Sequence, residues 1–258
     1  MTDNTWIEAL GFKAGKSGAH AARSIMFEEL SILMDVYPEG AEAEQLKEEI
    51  VTFNLLRKST ANSRRLTYRH LLDLYALSDH VCLFRTFRKL WQKAPDARPV
   101  LALQLGLCRD PLLRLSMPKL ITLEPGEIVL RQDIEVLLEQ YNPNYSAASL
   151  KSFSQNINGS WTQSGFLEGR SRKVRTQNPV HAANVAYALF IAHLQGLQGQ
   201  RGFNSMWCKL LSRDTEQLHQ LAQVASSHAY ISFKKIDDVV EVAFPGWINE
   251  TEKELVNG

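Results

Sequence analysis

Apolar side chains recur every three to four positions through most of this chain, the spacing of helices that bury one stripe. Ile25, Phe27, Leu30, Leu33 and Met34 form the first stripe and predict a helix over about 19–36, stopped at Tyr37-Pro38. Leu46, Ile50, Phe53 and Leu56 predict a second over about 41–53, and residues 54–58 read as a turn. Ser59 or Thr60 can cap a third helix that reaches about Leu77. Its apolar face is Leu66, Leu71, Leu74 and Leu77, and its other face carries Arg64, Arg65 and Arg69. Further helices are expected over about 81–92, 100–107 and 111–115, then over 128–139. Pro95, Pro99, Pro111, Pro118 and Pro125 punctuate this part, and residues 117–127 read as a hinge between two modules.

The pattern changes character over 145–175. Ser146 is a good cap for a helix reaching about Asn156, with Leu150, Phe153 and Ile157 inward. Ser149, Lys151, Ser152, Gln155 and Asn156 fall on its outward face. Trp161, Phe166 and Leu167 are expected to anchor a strand beneath that helix. Gly169 then turns the chain into Arg170, Arg172, Lys173 and Arg175, so four of the six residues from 170 to 175 are basic. Helix, turn, strand and basic hairpin in this order predict a winged helix-turn-helix. Small hydroxyl and amide side chains suit phosphates and base edges, and a helix N-terminus favours a phosphate.

Residues 180–197 form the most apolar segment, but His181, Asn184, His193 and Gln195 interrupt it. A membrane span needs about 20 clean apolar residues, so a buried core helix is expected. Residues 196–203 are Gly-rich, a helix is expected at 205–211, and Asp214 caps another to about 225. Residues 229–247 alternate and are β-branched, predicting a hairpin with Asp237-Asp238 at its turn. Lys234 and Lys235 are balanced there by the two aspartates, so this helix-plus-hairpin unit is either a second winged module or a purely structural one. The tail at 249–258 is polar and expected to fray. The fold class is therefore mostly α: a helical N-terminal domain (1–118) with helix-turn-helix character, a winged domain (119–200), and a helix-plus-hairpin unit (201–258).

Composition narrows the function. The 258 residues carry a net charge of +1, so the chain is no polycation. Its charge is segregated, however. Residues 28–50 hold eight acids and one base, residues 57–98 ten bases and three acids, and residues 145–175 five bases and one acid. A local positive field is all that nucleic-acid binding requires. Cys82, Cys108 and Cys208 are far apart and form no CxxC, which points to a reducing, cytoplasmic setting without a disulfide framework. The first residues show no basic region followed by an apolar run, so no secretory signal is expected.

Signals for catalysis are weak. Gly11–Ser17 resembles a phosphate loop one residue too short, with no convincing strand before it. The seven histidines form no HExxH or other close metal spacing; His219, His228 and Cys208 could meet only in the fold. No GxSxG or paired-carboxylate motif is present. The expectation is no enzymatic activity, no cofactor and no metal.

Three segments carry a family resemblance: FEELSILMDVY at 27–37, FNLLRKSTANSRRLTYRHLLDLY at 53–75, and the stretch 145–175; VVEVAFPGW fits a closing hairpin. Together they resemble BrxA, the small component of bacteriophage-exclusion (BREX) defence systems. The resemblance implies a mostly helical, non-catalytic protein with winged-helix character that binds DNA within a multi-protein antiphage system. It carries over only to Arg64, Arg65 and the basic cluster at 170–175. The expected partners are double-stranded DNA and other defence-system proteins, with no membrane. The alternatives are a helical adaptor whose basic faces dock acidic proteins, and an RNA-binding helical protein.

Overall fold

The computed structural model describes residues 5–37, 40–41 and 43–257. Pro38, expected to stop the first helix, and Glu39 and Glu42 of the acidic segment lie outside the described residues. The described chain is mostly helical, with two small antiparallel sheets.

A short α1 (Thr5–Ala9) leads through an extended strap to one 3-10 turn at Ala19–Ala21. The helix expected from 19 begins later, as α2 (Phe27–Val36), because Met26 takes a left-handed φ of 53° that interrupts helical hydrogen bonding. α3 (Ala43–Lys47) runs into a π-helical turn, Glu48–Thr52. Asn54 closes the next turn, its side-chain oxygen accepting from the Lys58 N–H at 2.8 Å. Thr60 caps α4 (Ala61–Tyr75) by accepting from the Ser63 N–H at 3.0 Å. The helix stops before Leu77, since Ala76 and Leu77 both take positive φ.

α5 (Cys82–Lys93) and α6 (Arg98–Arg109) follow, then α7 (Pro111–Leu120). Asp110 caps α7, and Pro111 fits its first turn because no amide partner is required there. α7 continues through Pro118, so residues 117–120 of the segment read as a hinge are helical.

Residue 128 begins a strand where a helix was expected: β1 (Ile128–Val129) precedes α8 (Arg131–Tyr141) and α9 (Ala147–Gln163). β2 (Leu167–Glu168) and β3 (Lys173–Arg175) complete a sheet of order β1-β3-β2, with β3 antiparallel to both neighbours. Ser146 caps α9, accepting from the Ser149 N–H at 3.2 Å. α9 runs past Asn156 to Gln163, so Trp161 belongs to the helix and not to a strand. The Trp161 indole donates to Ser116 Oγ at 2.8 Å and meets the Phe166 ring edge-on at 5.4 Å. Gly169 turns the hairpin with φ 90°, and a Cβ there would overlap the Arg172 carbonyl oxygen.

α10 (Ala182–Leu194) is apolar on every side and lies in the middle of the core. A helix of that kind is stable only when surrounded. It packs on α5 and α6 from the N-terminal half. Asn184 and Tyr187 tie it to the N-terminal half. Asn184 Nδ2 donates to the Ala97 carbonyl, Gln104 Nε2 to the Asn184 carbonyl, and the Tyr187 hydroxyl to the Leu83 carbonyl. The C-terminal half closes over it through α11 (Gln200–Phe203), α12 (Met206–Lys209) and α13 (Thr215–Ser227). Asp214 caps α13 in a capping box with Gln217.

β4 (Ser232–Ile236) and β5 (Val239–Ala243) form the expected hairpin around Asp237-Asp238. The tail expected to fray is instead α14 (Glu250–Asn257). The reason is a half-buried charge pair: Arg85 donates to Glu252 Oε2 at 2.6 Å, and Glu252 also accepts from the Asn249 N–H. One continuous apolar cluster runs from Leu10 to Trp247. Among the described residues, no helix is long and apolar enough to cross a membrane.

Candidate nucleic-acid interface

α9 is flanked on one side by the N-terminal strap. Asn156 Nδ2 donates to the His20 carbonyl at 3.0 Å, Ser160 Oγ accepts from the Ile25 N–H at 2.9 Å, and Gln163 Nε2 donates to Ser24 Oγ at 2.9 Å. These three contacts sit at positions 156, 160 and 163, one side of a helix. On the other side lies the β2–β3 hairpin. Between helix and hairpin is a cleft of about 430 Å³, lined by Gln155, Asn158 and Gly159 of α9, by Arg170, Ser171 and Lys173, and by Val129 and Arg131. Among the described residues, no carboxylate lines it. Lys151, Ser152 and Gln155 stay exposed along α9.

The expected site residues therefore divide. Lys151, Ser152, Gln155, Arg170 and Arg172 are exposed on this face. Ser149 is half-buried in the helix cap, 3.0 Å from Ser146 Oγ. Lys173 is half-buried and donates to the Gly169 carbonyl at 2.6 Å, closing the hairpin; burial lowers its pKa. Asn156 is a correction: its amide is committed to the strap and does not point outward. Arg175 is a larger one. It is 2% exposed and donates to the carbonyls of Phe166 and Thr176 and to Ser212 Oγ. Burial lowers its pKa, as does neighbouring Arg213. Its charge holds the base of the hairpin together and is absent from the tip.

The second basic face is more ordinary. Arg64 is half-buried and donates to the Thr52 carbonyl at 3.4 Å, while Arg65 and Arg69 are exposed. Lys58 pairs with Glu29 of the acidic helix at 2.7 Å. Arg69 borders a separate hollow of about 530 Å³ beside the strap, shared with Asp73 and Arg109.

A buried Ser–His–Asp constellation has no counterpart among the motifs read from the sequence. His20 Nε2 lies 2.7 Å from Ser160 Oγ, and its Nδ1 lies 2.9 Å from Asp110 Oδ2, though off the direction of a linear hydrogen bond. The backbone N–H groups of His20 and Leu113 also donate to the Asp110 carboxylate. Burial alone would raise the Asp110 pKa; the His20 contacts and the backbone donors outweigh it and hold it down at about 2. The three residues are at most 1% exposed, so no substrate reaches them in this conformation. They bolt the strap, the start of α7 and α9 into one unit. Residues 90 and 140 positions apart carry no local signal that could have revealed this.

The stretch that resembles a phosphate loop is part of the same strap. Arg109 donates to the Gly11 carbonyl, Arg114 to that of Lys13, Tyr141 to that of Gly15 and Tyr145 to that of Lys16. His219 packs edge-on to Phe203 at 4.5 Å, and its Nδ1 is 3.2 Å from Lys235 Nζ. Among the described residues, no group of three His, Cys, Asp or Glu side chains is placed to hold a metal ion.

Comparison with known proteins finds no family model that matches the chain and no matching curated protein.

Proposed function

We propose that residues 111–175 form a winged helix and that the protein uses it to grip duplex DNA without catalysing a reaction. α7, β1, α8, α9, β2 and β3 occur in that order, with strand order β1-β3-β2. On this reading α9 enters a groove and the tip at Arg170 and Arg172 rests on the adjoining backbone. The observation that carries the reading is the shared cleft, which no carboxylate among the described residues lines: Gln155 of α9 and Arg170 of the hairpin meet the same open space. Trp161 and Phe166 are buried, so neither ring offers a stacking surface to a single strand. Phosphate contacts position a protein without specifying sequence, so the preference among duplexes is weak. The resemblance to BrxA makes a bacteriophage-defence complex the proposed setting.

The test is a gel shift on duplex DNA across a salt series. With about four phosphates neutralised, affinity should fall about 100-fold between about 50 and about 200 mM salt. Arg170→Glu with Arg172→Glu should abolish the shift in protein of unchanged fold. A flat salt response across duplex, single strand and RNA would remove this reading.

A further inference from the structure

We infer that the cleft between α9 and the β2–β3 hairpin holds one nucleotide unit, its phosphate against Arg131, Arg170 and Lys173 and its base edge against the Asn158 amide. The inference deepens the DNA-binding reading and rests on it only where the nucleotide belongs to a strand. A free nucleoside monophosphate presents the same chemistry.

Asn158 is the residue that asks for a ligand. It is 5% exposed, lines the cleft, and its Oδ1 is buried with no hydrogen-bond partner. An orphaned buried acceptor typically costs about 1–3 kcal/mol, so native chains rarely leave one without a reason. The atom needs a donor. The phosphate of a nucleotide, as a diester or a terminal dianion, has none, whereas every nucleobase carries an N–H on its Watson–Crick edge. An amide offers one acceptor beside one donor, the pattern that pairs with a base edge.

The cations around it come from separate elements. Arg131 belongs to α8, Arg170 to the hairpin tip and Lys173 to β3. Arg131 also pairs with Glu135, so its charge is partly spent and the other two carry most of the anion. Binding sites for small organic ligands span roughly 300–1,000 Å³, and this cleft of about 430 Å³ falls within that range. Gly159 forms part of the wall.

The experiment is calorimetric titration of the full chain with the four deoxynucleoside 5′-monophosphates and with inorganic phosphate. The same nucleotides then compete against a labelled duplex. A mononucleotide should bind with Kd below about 1 mM and at least about tenfold tighter than inorganic phosphate. Asn158→Asp puts a carboxylate in the cleft and should weaken mononucleotide binding tenfold or more. Arg170→Gln, at an exposed position that the fold does not need, should do the same. Arg172→Glu lies outside the cleft lining and should weaken the duplex while sparing the mononucleotide. Mononucleotide that displaces duplex identifies a strand as the source, and mononucleotide that binds without displacing it identifies a free nucleotide; both uphold the site. Equal affinity for phosphate and mononucleotides overturns it, as does the absence of mononucleotide binding. The latter result with duplex binding intact leaves the DNA reading standing. Mononucleotide binding without duplex binding removes the DNA reading alone.

Discussion

The Arg175 guanidinium lies 4.8 Å from the centre of the Phe166 ring and donates to the carbonyl of the same residue. A charge that reads in sequence as part of a basic tip is thus a clamp beneath it. Two neighbouring arginines of one cluster should therefore fail in opposite ways. Arg175→Ala removes hydrogen bonds from a buried charged group and should lower stability by about 2–4 kcal/mol in denaturant unfolding. Arg172→Ala, at an exposed position, should stay within about 0.5 kcal/mol of the parent while weakening duplex binding.

Gly169 offers a backbone test of the same hairpin. With φ at 90° and the Arg172 carbonyl in the way, Gly169→Ala cannot keep the turn. A cost of at least about 1 kcal/mol is expected. Faster amide hydrogen exchange at Lys173 and Val174, with little change at α10, would locate the damage in the hairpin.

Asp110 sets an acid limit on stability. Its folded pKa of about 2 lies below the ordinary carboxylate value near 4, so the unfolded chain takes up the proton first. The contribution, about 2–3 kcal/mol, is complete above pH 4 and is lost as pH falls through 4 towards 2. Asp110→Asn should lower stability at neutral pH and flatten this acid limb in urea titrations.

Reversal of Arg65 separates one DNA-facing surface from two. On the single-site reading, Arg65→Glu leaves the slope of log affinity against log salt unchanged, whereas Arg172→Glu reduces it by about 1. A matching loss at Arg65 would extend the interface to the α4 face.

The three thiols should report unfolding cleanly. Cys82, Cys108 and Cys208 are all buried, and burial pushes the thiol pKa of Cys82 and of Cys208 up to about 12 and that of Cys108 higher still. A thiol-specific reagent should modify none in the native protein and all three in denaturant.

Helix caps and turns were legible because their chemistry is local. Thr60, Ser146 and Asp214 each accept from an N–H three residues on, and Asp237-Asp238 turns its hairpin. The apolar run around α10 announced burial by lacking any polar side. Other features had no local signature. β1 is two residues long, too short to show alternation, so its apolar residues merged into the helix that follows. Polar residues late in α9 looked like a turn because Asn156, Ser160 and Gln163 face a strap more than 130 positions away in sequence. Within the candidate site, Arg170 and Gln155 could be read from charge and periodicity. The role of Asn158 could not, since it depends on a partner that the fold fails to provide.

The strap that crosses α9 has a mechanical corollary. His20 and Asp110 fasten that helix through groups sealed from water, so it cannot tilt or slide without exposing them. On the proposed reading, adjustment in a complex then falls on the nucleic acid. Duplexes would be ranked by how readily they bend to a fixed shape, with pliable pyrimidine–purine steps favoured over stiff tracts even where no side chain reads a base.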